Sequence, residues 1–156
     1  MGAWTYESTP VDGGTRVTAT LTSMMRVYLD DSGAHFVRLV FRDDPIWGHD
    51  AHLALESGDF DCPTGCSVDI AIDGGPLRTI NASRPETSLS EQPTPILSIR
   101  EPRELWYALR DAQLLTVDFP ARGKGMQRAS FDVSGLDRSR LSWDQQPYAR
   151  THAPAT

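Results

Sequence analysis

The chain has 156 residues, of which 39% are hydrophobic and 23% are charged, and its formal net charge is −6 at pH 7. This length suits one ordinary domain, and no apolar run reaches the roughly 18 residues of a transmembrane helix. The acidic balance argues against nonspecific binding to DNA or RNA, which requires a basic face on the protein.

Short β-strands are predicted along most of the chain, because hydrophobic and polar residues alternate in one stretch after another. The clearest strand is 35–41, in which Val37, Leu39 and Phe41 share one face. Arg38 lies on the opposite, more exposed face of that strand. Turn residues separate the strands. The predicted strands are 17–21, 24–29, 35–41, 52–56, 67–72, 77–80, 95–99, 114–119 and 127–133.

One helix is predicted late in the chain, over about 101–113. Pro102 suits the first turn of such a helix. A hydrophobic stripe at helical spacing would pack it against the sheet. The stripe consists of Leu105, Ala108, Leu109 and Ala112.

The remaining segments are predicted as loops. Stretches 42–48 and 83–95 have no hydrophobic period, and neither has the chain after Leu141. Many short antiparallel strands and one helix predict a mainly β fold, either an antiparallel β-sandwich or a strongly bent sheet capped by the helix. We therefore expect one domain over 4–141 and a loose C-terminal tail over 142–156.

Cys62 and Cys66 are the only cysteines, and a Pro-Thr-Gly turn separates them. Two thiols are too few for a structural zinc site, which needs four ligands. His49 and His52 could join them, but residues three apart on an extended segment point to opposite faces. The spacing is also not that of thioredoxin-like redox enzymes. We predict a structural disulfide, which implies an oxidising compartment; metal binding and free thiols are the alternatives.

No motif in the sequence identifies an active site. The four histidines lie away from any Gly-x-Ser-x-Gly nucleophile motif. They are His35, His49, His52 and His152. The acidic pairs lack the alternating ligand spacing of a calcium loop, and we interpret them as solvated turns. We therefore predict no catalytic residue, metal or cofactor, with a hydrolase built from scattered His and Asp side chains as an alternative.

Trp47 is the most suggestive surface residue in the chain. It follows Pro45 and stands among charged residues on a predicted loop, an arrangement typical of a binding hot spot. The predicted partner contacts are Arg42, Trp47, His49 and Asp50. The alternative is that Trp47 closes one end of the core.

Several short motifs of the chain recur in a known protein group. They are Leu39-x-Phe41-Arg42 with Pro45, Gly48 and Asp50, then Leu53-x-Leu55, Gly58-x-Phe60-x-Cys62, Cys66-x-Val68-x-Ile70, Asp73-Gly74 and Phe131-Asp132-Val133-x-Gly135-Leu136. On these residues the chain resembles small secreted or lipid-anchored bacterial envelope proteins, mostly of uncharacterised function. It is similar in layout to the accessory lipoproteins associated with type VI secretion. The resemblance covers about 4–141 and implies no catalytic residues.

From these observations we expect a non-enzymatic module of the bacterial cell envelope that binds another protein. It would act as an immunity or inhibitor protein against a secreted toxin, such as a basic cell-wall hydrolase, because opposite charges favour association. An accessory or structural component of a secretion system is an alternative. Residues 1–4 lack the charged start and apolar segment of a signal peptide. Either the protein is cytosolic or a signal sequence has been removed, and the abrupt start at Trp4-Thr-Tyr6 favours removal. We therefore expect the protein to work in the periplasm or cell envelope.

Overall fold

The computed structural model describes residues 2–85 and 95–144 of the chain. Most of the predicted loop at 83–95, His152 and residues 145–156 of the predicted tail lie outside the described residues. The described part is mainly β and contains one short α-helix. The predicted fold class is therefore confirmed.

Nine of the strands form one antiparallel sheet, and two form a separate hairpin. In chain order the strands are β1 (Thr5–Val11), β2 (Gly14–Thr22), β3 (Val27–Asp30), β4 (Gly33–His35), β5 (Val37–Asp44), β6 (Gly48–Leu55), β7 (Cys66–Ile72), β8 (Arg78–Ser83), β9 (Ile96–Ile99), β10 (Leu114–Ala121) and β11 (Gly125–Asp132). The spatial order in the large sheet is β1-β2-β5-β6-β9-β8-β7-β10-β11. The separate hairpin consists of β3 and β4.

The large sheet is strongly bent, because its two ends meet. The ring N–H of Trp4 donates to the carbonyl of Val133 at 3.2 Å, and the Gly2 amide donates to the carbonyl of Ser134 at 2.9 Å. These residues adjoin the first and the last strand in the spatial order. The sheet therefore curls until its opposite edges touch at one end, which encloses a single core.

The β3–β4 hairpin lies along the free edge of β11. The Met24 amide, just before β3, donates to the carbonyl of Ser130 at 2.8 Å. At the other end, the Lys124 ammonium lies 2.9 Å from a carboxylate oxygen of Asp31. The hairpin therefore covers one of the two outer edges of the sheet, where unpaired backbone groups would otherwise attract other chains.

The core is built around Phe41, on the inner face of β5. Its ring centroid lies 5.2 Å from that of Trp106 in helix α1 (Pro102–Ala108) and 5.3 Å from that of Trp143, and both contacts are edge-to-face. The two tryptophan rings are 4.9 Å apart and fully buried. The sheet, the helix and the C-terminal segment therefore share one aromatic cluster.

The helix is shorter than the predicted stretch 101–113. Asp111 has a φ of 65°, which lies in the left-handed region where an α-helix does not continue. The Ala112 amide instead donates to the Leu109 carbonyl at 3.0 Å. Leu109 and Ala112 are still buried, so this end of the predicted hydrophobic stripe packs inward although the last turn is not helical. No helix in the described part of the chain is long and apolar enough to cross a membrane.

Two parts of the sheet are not evident from the sequence pattern. β1 exposes most of its residues, so it lacks the alternation by which half-buried strands are recognised. The predicted loop 42–48 contains the end of β5, a turn over 45–47 and the start of β6. Its charged residues lie in strands because they face one another, with Arg42 opposite Asp50 and Asp43 opposite His49.

Residues 142–144, which we predicted as the start of a loose tail, pack into the folded domain. Trp143 is fully buried, and Asp144 accepts a hydrogen bond from the ring N–H of Trp106 at 2.9 Å. The Ser142 amide donates to the carboxylate of Asp43 at 2.7 Å. This packing depends on Trp143 alone. Because a single aromatic residue produces no hydrophobic period, the sequence pattern did not reveal that the segment is folded.

The predicted disulfide joins Cys62 to Cys66, whose Cα atoms are 5.3 Å apart. It closes the loop that follows Phe60, a fully buried residue that pairs with Ala121 at the end of β10. The disulfide therefore fixes the chain where it passes from this pairing into β7.

Replacing both cysteines with serine should lower the free energy of unfolding by about 2 kcal/mol, because a small closed loop constrains the unfolded chain only modestly. Urea denaturation with and without reductant measures the effect. Reductant should bring the unaltered protein to the level of the double variant and leave the variant unchanged. If reductant does not change the unfolding midpoint of the unaltered protein, the disulfide does not stabilise the fold.

Replacing Trp143 with alanine should destabilise the protein by about 3–5 kcal/mol, the usual cost of removing a buried aromatic side chain. Trp47→Ala is the matched control, because its ring is 82% exposed and surface substitutions change stability by no more than about 0.5 kcal/mol. Urea unfolding followed by circular dichroism measures both variants. Equal effects would contradict the core position of Trp143.

Candidate functional site

Trp47 lies at the tip of the β5–β6 hairpin and is 82% exposed. The other three tryptophans are at most 9% exposed. Ile46, its neighbour in the turn, is 58% exposed. Trp47 therefore does not close the core, and the hairpin presents two large apolar side chains to solvent.

Asp44 holds this turn in one conformation. One carboxylate oxygen accepts hydrogen bonds from the Ile46 amide at 2.8 Å and the Trp47 amide at 2.9 Å. The other accepts from the guanidinium of Arg16 on β2 at 2.9 Å. The bond from the Trp47 amide, followed by that from Arg16, lowers the pKa of Asp44 to about 2. The exposed tryptophan therefore projects from a backbone that is already ordered.

The outer face of the hairpin carries a charged row formed by Arg42, Asp50 and His52. A guanidinium nitrogen of Arg42 lies 3.5 Å from the Asp50 carboxylate, and Nδ1 of His52 lies 2.7 Å from the same carboxylate. Burial opposes ionisation of Asp50, but the hydrogen bond and charge of His52 and the charge of Arg42 outweigh it and lower its pKa. Most of the charge on this row is therefore balanced within the protein.

The inner face at the same level carries Asp43 and His49. The ring of His49 stacks on Trp143 with centroids 4.6 Å apart, and its Nε2 lies 3.6 Å from the Asp43 carboxylate. The same carboxylate accepts the hydrogen bond from Ser142. These contacts attach the base of the hairpin to the C-terminal segment.

The four predicted contact residues therefore occupy three places. Arg42 and Asp50 meet on the outer face, His49 lies on the inner face, and Trp47 is at the tip. The separation follows from the alternation of side chains along a strand. Ile46 was not among the predicted contacts, although its position beside Trp47 in a polar turn is visible in the sequence.

A polar cavity of about 580 Å³ opens beside the base of the hairpin. Its lining includes Asp43, His49, Arg103, Arg140 and Ser142. Acidic and basic side chains both line the cavity, so it can accept a side chain of either charge. Within residues 2–85 and 95–144, no group of three or more His, Cys, Asp or Glu side chains is arranged to hold a metal ion.

Comparison with family models, curated proteins and solved structures finds no match to this chain. The resemblance to envelope lipoproteins therefore stays a prediction, and the functional argument depends on the geometry, charge and disulfide of this chain.

Acid should release the hairpin tip between about pH 4 and pH 2. The pKa of Asp44 in the folded protein, about 2, is below its ordinary value of 3.8. The ionised carboxylate therefore stabilises the turn fully above pH 3.8, and this stabilisation is lost as the pH falls through the folded pKa. The protection factor of the Trp47 amide in hydrogen exchange, measured by NMR across this range, tests the expectation.

Asp44→Asn is the matched control, because its side chain has no charge to titrate. Its Trp47 amide should be less protected at neutral pH and should show no transition between about pH 4 and pH 2. A constant protection factor in the unaltered protein over that range would show that Asp44 does not hold the turn.

Proposed function

We propose that the protein is a non-enzymatic binding module of the bacterial cell envelope, which docks the tip of its β5–β6 hairpin onto a basic partner protein. The observation that carries the proposal is the exposure of Trp47 on an ordered turn. A large aromatic side chain that remains in solvent has no role in the stability of the fold, and tryptophan is among the residues most enriched in binding hot spots.

The order of the turn supports binding by this residue. Association is weakened when flexible side chains and loops must be immobilised. The hydrogen bonds of Asp44 to two turn amides have already ordered this backbone. Trp47 and Ile46 can therefore enter a partner's pocket without a large further loss of conformational entropy.

Arg42, His49 and Asp50 serve this hairpin in different ways. Arg42 and Asp50 lie on the outer face, where a partner that covers the hairpin would meet them. The side chain of His49 is only 12% exposed, so it supports the hairpin through Trp143 and contributes little contact area.

The net charge supports a basic partner. At −6 the protein attracts basic molecules, since long-range charge complementarity raises association rates and selects partners. The disulfide between Cys62 and Cys66 is typical of proteins from oxidising compartments. Within the envelope, a basic cell-wall hydrolase of the lysozyme type fits both properties, and the protein would act as its inhibitor or as an immunity protein.

The test is inhibition of cell-wall lysis by a basic lysozyme. The unaltered protein should inhibit lysis, and Trp47→Ala should weaken inhibition about 30-fold or more, because loss of a hot-spot side chain costs at least about 2 kcal/mol. Leu77→Ala is the matched control, since Leu77 is a second exposed apolar residue, at 59% exposure, on the β7–β8 connection.

The outcomes separate the parts of the proposal. Equal inhibition by both variants would remove Trp47 from the interface. No inhibition of lysozyme or of other basic wall hydrolases by the unaltered protein would reject this partner class. Capture of secretion-machine subunits from the native envelope, dependent on Trp47, would favour the role of a secretion-system accessory component.

A further inference from the structure

β1 has an edge whose backbone groups exchange no hydrogen bond with any other part of the described chain. It is the first strand in the spatial order and pairs only with β2. Backbone and ring contacts of Gly2 and Trp4 with the segment after β11 close the edge before β1 begins. Within β1 the same segment reaches only the side chain of Tyr6, whose hydroxyl accepts a hydrogen bond from the Asp137 amide at 2.7 Å. Beyond them, within residues 2–85 and 95–144, no backbone hydrogen bond reaches β1 from the side opposite β2.

Pro10 shows which backbone groups of β1 point outward. It stands opposite Thr15 in the antiparallel register, and proline has no N–H to contribute to a ladder. The Pro10–Thr15 pair is therefore a non-hydrogen-bonded pair, and its neighbours alternate accordingly. The groups of Tyr6, Ser8 and Pro10 face away from β2. Gly2 is separated from Tyr6 by an even number of positions along the chain, and the hydrogen bond from its amide to Ser134 also points away from β2, as this alternation requires.

The open edge therefore offers two N–H donors, from Tyr6 and Ser8, and three carbonyl acceptors, from Tyr6, Ser8 and Pro10. Residues 6–11 span about 17 Å in extended form. An edge of this length and pattern is suited to strand addition, in which an extended segment of another protein joins the sheet.

The charges beside this edge favour a basic occupant, because two carboxylates there outnumber the guanidinium of Arg140, which lies over the Tyr6 ring at 4.5 Å. Glu7 on β1 and Asp12 in the following turn are both exposed. In the described part of the chain neither carboxylate takes part in an ion pair, in contrast to Asp43, Asp44 and Asp50. Opposite charges in facing positions of neighbouring strands stabilise the pairing. A strand with Lys or Arg opposite Glu7 would supply the missing partner charge.

A second copy of this chain fits the edge less well. If two β1 strands paired antiparallel about Ser8, the Tyr6 carbonyl would face Pro10 of the other copy, which has no N–H to donate. The two Glu7 side chains would also lie diagonally on one face, where like charges repel. A different strand with an N–H at every position avoids both defects.

The edge is continuous with the hairpin tip. A Cβ atom placed on Gly13, in the turn between β1 and β2, would lie 3.6 Å from Ile46. The end of β1 therefore lies directly beside the turn that carries Trp47.

We propose that the open edge of β1 accepts an extended, basic strand of the partner protein, with a Lys or Arg side chain opposite Glu7. The strand-addition proposal rests on the proposed function, which supplies the identity of the partner. Trp47 would anchor the partner at the tip, and strand addition at Tyr6, Ser8 and Pro10 would fix its orientation through backbone hydrogen bonds.

The probe for this edge is an acetylated and amidated seven-residue peptide of alternating lysine and valine, added to the isotope-labelled protein. NMR should show chemical-shift changes centred on β1 and slower exchange of the Tyr6 and Ser8 amides. Ser8→Pro should lower the affinity at least tenfold, because it removes an outward donor without touching the β1–β2 ladder. Ser8→Ala, which keeps the N–H, should bind within twofold of the unaltered protein.

Two controls on the peptide make the test independent of any variant's folding. A peptide N-methylated at every backbone nitrogen cannot donate to the edge, and a peptide with glutamate in place of lysine reverses the charge. Both should bind at least tenfold more weakly. Equal binding of either peptide, equal binding by Ser8→Pro, or shifts centred away from β1 would overturn the proposal.

Two further measurements complete the test. Concentration-dependent dimerisation of the unaltered protein that is lost in Ser8→Pro would assign the edge to a second copy and also overturn the proposal. Leu77→Ala should leave peptide binding at the edge unchanged. The peptide assay probes the edge and the lysis assay with Trp47→Ala probes the hairpin, so failure of strand addition and failure of the hairpin as an anchor are distinguishable.

Discussion

The burial of Trp143 between Phe41 and Trp106 is the contact on which the arrangement of the site depends. These rings belong to the C-terminal segment, to β5 and to α1, and their centroids lie 4.9–5.3 Å apart. Aromatic side chains bury more apolar surface than other residues and prefer such tilted or edge-to-face contacts. Because His49 also stacks on Trp143, the cluster supports the base of the hairpin that presents Trp47.

Hydrogen bonds to charged groups keep this segment against the helix. The guanidinium of Arg138 stacks on Trp106 at 4.2 Å and donates to Asp144 at 3.0 Å. Asp144 also accepts from the ring N–H of Trp106. Burial raises the pKa of Asp144, but the bonds from Arg138 and Trp106 outweigh this and lower it. Such charge-assisted bonds are stronger than neutral ones, so the segment forms a fixed wall of the neighbouring cavity.

The same sheet is closed at one end and open at another, and this difference places the proposed binding features together. Gly2 and Trp4 close the sheet against the segment after β11, while the rest of β1 keeps free backbone groups. The turn after β1 lies beside Ile46. A rigid apolar tip and an open acidic edge therefore adjoin, and one partner could contact both.

The β class, the buried face of strand 35–41 and the disulfide could be predicted from the residues alone, because each depends on a local period or on the spacing of two residues. The sequence also singled out Trp47. The exposure of Trp47 and the burial of Trp143 could not be predicted, since both lie in segments without a hydrophobic period and differ only in what packs against them from distant parts of the chain. The open edge of β1 was likewise decided by which strands pair across the bent sheet, because its residues have no hydrophobic period from which its position could be predicted.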